Sequence, residues 1–428
     1  MAKKPQIRFK GHQDEWGDKK LGDIYNFLKG KGLSKEKLTY KGKNKCILYG
    51  EIFTRYNFEI ADCISSTDFD EGIPSVAGDI IMPGSTTTDG IDLAKAVHIP
   101  ENNILYGGDI IVLRPKDIRE VNPYFQSTLL SSINREQIAA VAQGITIVHL
   151  HGSDLDDMHY LMPEVKEQQK IGEFFKTLDE LICAKEEELE KLRQLKAALL
   201  EQMFPSEDNK HEVGGGNSQI INILNNSQFV VSATPNTPRI RFKGFTEPWE
   251  RKTIGNISSM YSGGTPPTTV KEYYGGKIPF IRSGEIHGNK TELFITELGL
   301  NQSSAKLVKK GDVLMAIYGA TSGEIDICKI EGAINQAILC INTTTDKYFF
   351  KCSWEKNVER VIDLYLQGAQ GNLSAQLVRQ VDIMVPSHLE QQMIGDFFRE
   401  QDEAINAADQ QIRKLKTIKQ ALMDKMFA

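Results

Sequence analysis

PQIRFKGHQDEW, from Pro5 to Trp16, returns as PRIRFKGFTEPW, from Pro238 to Trp249, 233 positions further on. One copy alone reads as a polar arm ending in a tryptophan. Two copies divide the 428-residue chain into halves. At the same offset Lys19 recurs as Lys252, Gly22 as Gly255 and Ile24 as Ile257, and GDIIM (78–82) becomes GDVLM (311–315). YGEI (49–52) meets SGEI (283–286), shifted by one. A second shared block, LMPEVKEQQKIGEFF (161–175), is echoed by MVPSHLEQQMIGDFF (384–398) at an offset of 223. QMF ending at Phe204 returns as KMF ending at Phe427 at that offset too. An internal repeat of this kind decides architecture before any local reading does. Shared ends around divergent middles describe one scaffold carrying two different readers.

The second block predicts a long helix. Pro163 and Pro386 precede it, where a helix start tolerates proline. Ile171, Phe175, Leu178, Ile182, Leu189, Leu192, Leu199 and Met203 then follow 3–4 spacing, with Lys185 and Lys196 at the two missing steps. Ile394, Phe398, Ile405, Ala408, Ile412, Leu415, Leu422 and Met426 repeat the phase. This is a coiled-coil seam of about 40 residues, roughly 60 Å of helix. If the halves are related by a pseudo-twofold, the two helices run antiparallel. The fold class expected is mixed α/β (α+β), a tandem pseudo-twofold repeat of two domains separated by two long helices that form an antiparallel coiled coil. The divisions are 1–160, first domain; 161–204, first helix; 205–237, a Gly/Asn/Ser-rich linker in which IINIL (220–224) could be a strand; 238–383, second domain; and 384–428, second helix.

The middles are mixed. NKCILYGEI, GDIIMPG and GGDIIVLRP in the first half, and KIPFIRSGEI, GDVLMAIYG and AILCINTT in the second, are apolar runs bounded by turn residues, hence strands. NPYFQSTLLSSINREQIAAVAQG and WEKNVERVIDLYLQG (354–368) have helical spacing.

Composition is that of an ordinary globular chain, 40% hydrophobic and 25% charged. No run reaches the ~18 apolar residues of a bilayer span, and the N-terminus lacks a signal-peptide core. Six scattered cysteines without a CxxC pair suggest reduced thiols in a cytoplasmic protein. The net charge of −6 is unevenly placed. Residues 1–60 hold 14 Lys/Arg against 7 Asp/Glu and residues 239–310 hold 12 against 6, whereas residues 61–160 balance at −10. Two basic blocks behind the two opening motifs suit a polyanion, or equally an ordinary lysine-rich surface.

Catalytic signatures are missing. NPYF (122–125) resembles an amino-methyltransferase tetrad without its second proline or a cofactor loop, and reads better as a helix start. There is no P-loop and no GxSxG. GEIDICK (323–329) lacks a nuclease's carboxylates. HLH (149–151), near Asp154, Asp156 and Asp157, suggests a metal less readily than a solvated loop. A non-catalytic chain with no cofactor and no metal of its own is expected.

Recognition remains. Three pairs of Gly-rich, hydroxyl-rich or basic loops occupy equivalent places in the halves. PGSTTTDG (83–90) offers Ser85, Thr86, Thr87 and Thr88, and YGATSGE (318–324) offers Tyr318, Thr321 and Ser322. YGEIFTRYN (49–57) offers Tyr49, Arg55 and Tyr56, and IRSGEIHGNK (281–290) offers Arg282, Ser283, His287 and Lys290. AQGIT (142–146) offers Gln143 and Thr146, and GAQGN (368–372) offers Gln370 and Asn372. These residue types meet phosphates and base edges. An ordinary turn is the bland alternative for each singly.

Together PRIRFKGFTEPWERKTIGNI, IRSGEI, KGDVLMAIYGATSG, GAQGN, and VPSHLEQQMIGDFF followed by a long helix resemble the DNA-specificity (S) subunit of type I restriction–modification systems, over nearly the whole chain. The first half is a looser version. The resemblance implies two target-recognition domains, each reading one half of a bipartite asymmetric double-stranded DNA site, with the helices as the ruler between them. It implies two methyltransferase (M) subunits that carry S-adenosylmethionine and methylate adenine N6. Two restriction (R) subunits would use ATP and Mg²⁺. All these cofactors would lie in the partners of a cytoplasmic bacterial or archaeal complex. The alternatives are a coiled-coil interaction scaffold without DNA specificity and a cryptic nuclease or methyltransferase.

Overall fold

The computed structural model describes residues 4–60, 62–205, 228–231, 236–365 and 372–427. The chain forms two compact units, residues 1–186 with 410–428 (unit 1) and residues 187–409 (unit 2).

The units share one topology. In unit 1 a ribbon pairs Gly17–Lys20 with His159–Met162. A four-stranded antiparallel sheet follows the order Tyr25–Lys29, Ile110–Pro115, Asp79–Pro83, Val97–Ile99. A smaller sheet runs Ser66–Thr67, Asn44–Ile47, Leu105–Tyr106, Ile73–Pro74, its central pair parallel. In unit 2 the ribbon is Glu250–Thr253 with Asp382–Val385. The larger sheet is Ser258–Ser262, Ile338–Thr343, Val313–Ala316, Ile325–Ile327. The smaller one is Leu293–Ile295, Tyr274–Ile281, Gly332–Ile334, Lys306–Val308, again parallel at its centre. The central strands are the unbroken apolar runs of the sequence, because both their faces are buried. GDIIM and GDVLM recur because Gly78 and Gly311 turn into these strands at φ of 99° and 90°, where a side chain would be strained.

NPYF is a helix start, as expected. Pro123 opens the helix Pro123–Leu130 and the Asn122 side chain accepts from Phe125 N at 2.8 Å. Asp346 does the same for Phe349 N at 2.9 Å. That cap sets the start of the helix Lys347–Tyr365, ahead of the Trp354 start expected from spacing.

Each long helix has 39 residues, Val165–Met203 and His388–Met426. Their pairing is antiparallel within each unit. In unit 1 Phe175 meets Phe427 at 5.6 Å, Asp179 bonds Lys419, and Glu186 pairs with Lys416 at 2.6 Å. In unit 2 Lys196 pairs with Asp402 at 2.7 Å and Phe204 meets Phe398 at 6.1 Å. The lysine at a missing step of the seam is therefore a paired one. Tyr124 completes the first pair by donating to Asp179 and Tyr348 completes the second by donating to Asp402, both at 2.6 Å.

The opening motif fastens each unit to these helices. Trp16 packs on Phe125, which meets Phe427; Trp249 packs on Phe349 and Phe204. Arg8 makes a two-pronged bond with Glu167, at 2.8 and 2.7 Å, and Arg241 with Glu390, at 2.7 and 2.8 Å. Two parallel N–H···O bonds fix direction as well as distance.

Residues 206–227 and 232–235, which hold most of the expected linker and IINIL, lie outside the described residues. Phe229–Val231 is a strand, antiparallel to Ile240–Phe242. No helix among the described residues is long and apolar enough to cross a membrane.

Candidate nucleic-acid interface

In unit 2 two of the loops chosen by equivalence come together with Asn372, the described residue of the third. The turn after Val313–Ala316 carries Tyr318, which is 43% exposed, and Thr321 and Ser322, both half-buried. The exposed Asn372 accepts from Gly319 N at 3.2 Å, and Leu373 N bonds Ile317 O at 2.9 Å. His287, from the loop after Tyr274–Ile281, reaches the same turn through Glu324 at 3.1 Å. Lys290 is exposed and Ser283 half-buried. Gln370 lies outside the described residues.

Carboxylates hold Arg282 and His287 on this surface. Arg282 bonds Glu285 at 3.0 Å and Glu292 at 2.7 Å, which raises its pKa further. Burial alone would raise the Glu285 carboxyl, but Arg282 and the backbone N–H groups of Glu292 and Arg282 bring it down to about 2. Asp326 is likewise pushed up by burial yet held down to about 2, chiefly by His287. His287 has Asp326 on Nδ1 and Glu324 on Nε2, both at 3.1 Å. With an acceptor at each nitrogen the ring must donate twice, so it is the imidazolium that fits.

The bond to Asp326 raises the His287 pKa above its ordinary value of 6.5. Its contribution to stability is therefore complete below about pH 6.5 and lost as pH rises through the raised value. An NMR titration of the ring is expected to give a midpoint above 6.5, which Asp326→Asn lowers. A wild-type midpoint at or below 6.5 would rule this arrangement out.

Unit 1 is arranged differently. Ser85–Thr86 pairs antiparallel with Val148–His149, which joins the STTT loop to the QGIT hairpin. Gln143 and His149 close that hairpin with backbone bonds of 2.8 and 2.7 Å. Thr87, Thr88, Gln143 and Thr146 are exposed along this ribbon. Ser85 and Thr86 are buried, with Ser85 donating to Asp109 and Thr86 bonded to Thr88 at 2.7 Å, so the ribbon's pairing takes them off the surface. Tyr56 is also removed, buried at 7% exposure in the core with its hydroxyl accepting from Ile64 N. The strand expected over NKCILYGEI ends at Ile47, and the helix Tyr49–Thr54 follows, capped by Glu51 on Leu48 N. Tyr49 at its start is 42% exposed, and Arg55 pairs with Glu51 at 3.3 Å.

The first basic block is not a bare patch. Lys43 and Lys45 are paired with Asp70 and Glu101 at 2.9 and 2.7 Å, and Lys37 with Glu71, so the acidic stretch after residue 60 folds over it. Such exposed pairs contribute little to stability but mask charge. Two features escaped the sequence reading. Glu51 and Glu285 cap equivalent turns by accepting from Leu48 N and Arg282 N, and the shared GEI carried that signal. Tyr40, in TYKGKNK (39–45), is 90% exposed with Lys41 over its ring.

Among the described residues no group of three His, Cys, Asp or Glu could hold a metal ion, and His149 and His151 are stacked rings 6.3 Å apart.

The family described as "Type I restriction modification DNA specificity domain" matches residues 13–194 and 246–417. The type I restriction enzyme MjaIX specificity subunit of Methanocaldococcus jannaschii is 28% identical over 193 residues, 42% of this chain and 44% of that one. The HindI specificity subunit of Haemophilus influenzae is 24% identical over 151 residues, 32% of each chain. The chain thus spans less than half the length of the curated relatives it matches. A type-I restriction–modification S subunit from M. genitalium is similar in structure, with a TM-score of 0.66 and 18% identity over 99% of both chains. A chain from work on complex assembly and conformational transition of the type I R-M system has a TM-score of 0.52 at 16% identity, over 96% of this chain and 97% of that one.

Proposed function

The chain belongs to the family of type I restriction modification DNA specificity domains, and from that premise we propose that it is the DNA-reading subunit of such a complex. Each unit reads one half of a bipartite, asymmetric double-stranded site. The observation that carries this reading is the meeting of the loops around His287 and Tyr318 with Asn372 on one surface of unit 2, joined through His287–Glu324 and Gly319–Asn372. Hydroxyls, an amide, a phenol and a free lysine there supply the donors and acceptors that base edges and phosphates require. The carboxylates around Arg282 and His287 hold those cations in fixed directions until a phosphate or guanine edge competes for them.

In this reading the chain is non-catalytic. Two partner methyltransferase subunits bind S-adenosylmethionine and methylate adenine N6, and two restriction subunits use ATP and Mg²⁺. The complex works in the cytoplasm of a bacterium or archaeon. The net charge of −6 is compatible with DNA binding because only the loop surfaces meet phosphates and the partners supply further contacts.

Methylome sequencing of a host expressing the chain with its methyltransferase is expected to show a two-part motif with a methylated adenine. Exchanging residues 258–381 for those of a relative with another specificity should alter one half of the motif and leave the other. An assembled complex that methylates no defined motif, or an exchange that alters both halves, would overturn the proposal.

A further inference from the structure

Among the described residues, one face of the shared scaffold is covered by a strand in unit 2 and by none in unit 1. In unit 2 Phe229–Val231 lies antiparallel on Ile240–Phe242, in the register Phe229 to Phe242 and Val231 to Ile240. The Phe229 ring sits 4.8 Å from Phe242 and 5.6 Å from Phe397. Ile240 and Phe242 are left only 2% and 4% exposed. Lys243 N donates to Gln228 O at 2.8 Å, so the alternation of an antiparallel pair turns the backbone groups of Arg241 and Lys243 toward the covering strand.

The same positions in unit 1 are Ile7, Phe9 and Phe174. Ile7 is 41% exposed and Phe174 37%. Ile7 N donates to Lys425 O at 2.9 Å on the helix side, which leaves the backbone groups of Arg8 and Lys10 to face outward. Among the described residues no backbone hydrogen bond reaches the N–H or C=O of either. Phe9 stands edge-on to Phe174 at 6.0 Å, beside an open groove of about 510 Å³ that Leu178 and Leu181 extend. At these two helix positions unit 2 carries Gln401 and Ala404. At those two positions unit 1 is the more apolar, while the groove's Lys170 stands where unit 2 has Met393.

We propose that the Ile7–Lys10 edge and the Phe9–Phe174 groove form a strand-addition site that takes an extended segment of a protein partner, with an aromatic side chain seated between Phe9 and Phe174 and aliphatic neighbours on the same face. The covered copy in unit 2 supplies the chemistry of the occupant. Backbone bonds to Arg8 and Lys10 give affinity, and the groove selects the aromatic. This goes beyond the DNA-reading proposal and does not depend on it.

The test is an NMR titration of the full chain, methyl-labelled at Ile and Leu, with a synthetic peptide of the sequence NSQFVVS (positions 226–232). The Ile7, Leu178 and Leu181 signals are expected to shift and saturate. Replacing the peptide's Phe by Ala should weaken binding at least ten-fold. Phe174→Glu in the chain should do the same while its thermal midpoint stays put, since Phe174 is not buried. No shift at millimolar peptide, or a shift that Phe174→Glu leaves intact, would overturn the site. A dimer of the chain in sedimentation that Phe174→Glu dissolves would make a second copy the occupant and overturn the assignment to a partner.

Discussion

Arg241→Met is expected to destabilise unit 2 by about 3–5 kcal/mol, the cost of stranding one member of a buried ion pair. Arg241 and Glu390 have side-chain exposures of 3% and 0%, and Arg241 also donates to Glu247 O at 2.7 Å. Without the guanidinium, Glu390 must stay charged in an apolar setting or take up a proton. For a unit of this size each kcal/mol moves the melting temperature by roughly 2–4 °C, so a fall of about 10 °C is expected. The double variant Arg241→Met with Glu390→Met should recover most of that loss, because two apolar side chains of similar volume leave no buried charge unpaired, and the Glu247 carbonyl that loses its donor belongs to an exposed residue. The same change at Arg8 should cost less, since its side chain is 13% exposed and water can solvate what remains. Calorimetry on the three variants and the unaltered chain decides the matter. A double variant no more stable than Arg241→Met would show that the pair's value lies in packing rather than in charge compensation.

Phe204→Ala is expected to destabilise unit 2, and Phe427→Ala unit 1, each by about 3–5 kcal/mol. Both rings are 3% exposed. Phe204 touches Trp249, Phe349 and Phe398, at 5.8, 5.5 and 6.1 Å. Phe427 touches Phe125 and Phe175, at 5.8 and 5.6 Å. Hydrogen exchange should find the loss for Phe204→Ala in residues 236–365, and for Phe427→Ala in residues 16–175. The assignment runs against the order of the chain. A residue that ends the first half seals the second unit, and the last turn of the chain seals the first. Protection lost in the same unit for both variants would refute this exchange of helix ends.

How much of this was legible in the sequence follows from which forces are local. Helical spacing through Ile171, Phe175 and Ile182 and the unbroken runs IIVL and ILCI are short-range patterns, and each became the element expected. The recurrence of IRFKG and Trp showed where each half begins, and the coiled-coil phase showed that the halves share a scaffold. Burial of single loop residues could not be read the same way. Ser85 and Thr86 looked like the hydroxyls of an open turn, yet Val148–His149, some sixty residues on, pairs with them and closes it. Lys43 and Lys45 looked like a basic patch, yet Asp70 and Glu101 fold over them.

Sequence by itself therefore determined the repeat, the two long helices, the central strands and the loops worth testing, because periodicity and turn chemistry act between near neighbours. Only the tertiary structure decided which helix end seals which unit and which candidate side chains still reach the surface. It alone also showed that a strand covers the edge beside Ile240–Phe242 while, among the described residues, none covers its twin beside Ile7–Phe9. Those outcomes depend on residues far apart in the chain, where pairing and exclusion of water are settled by three-dimensional packing.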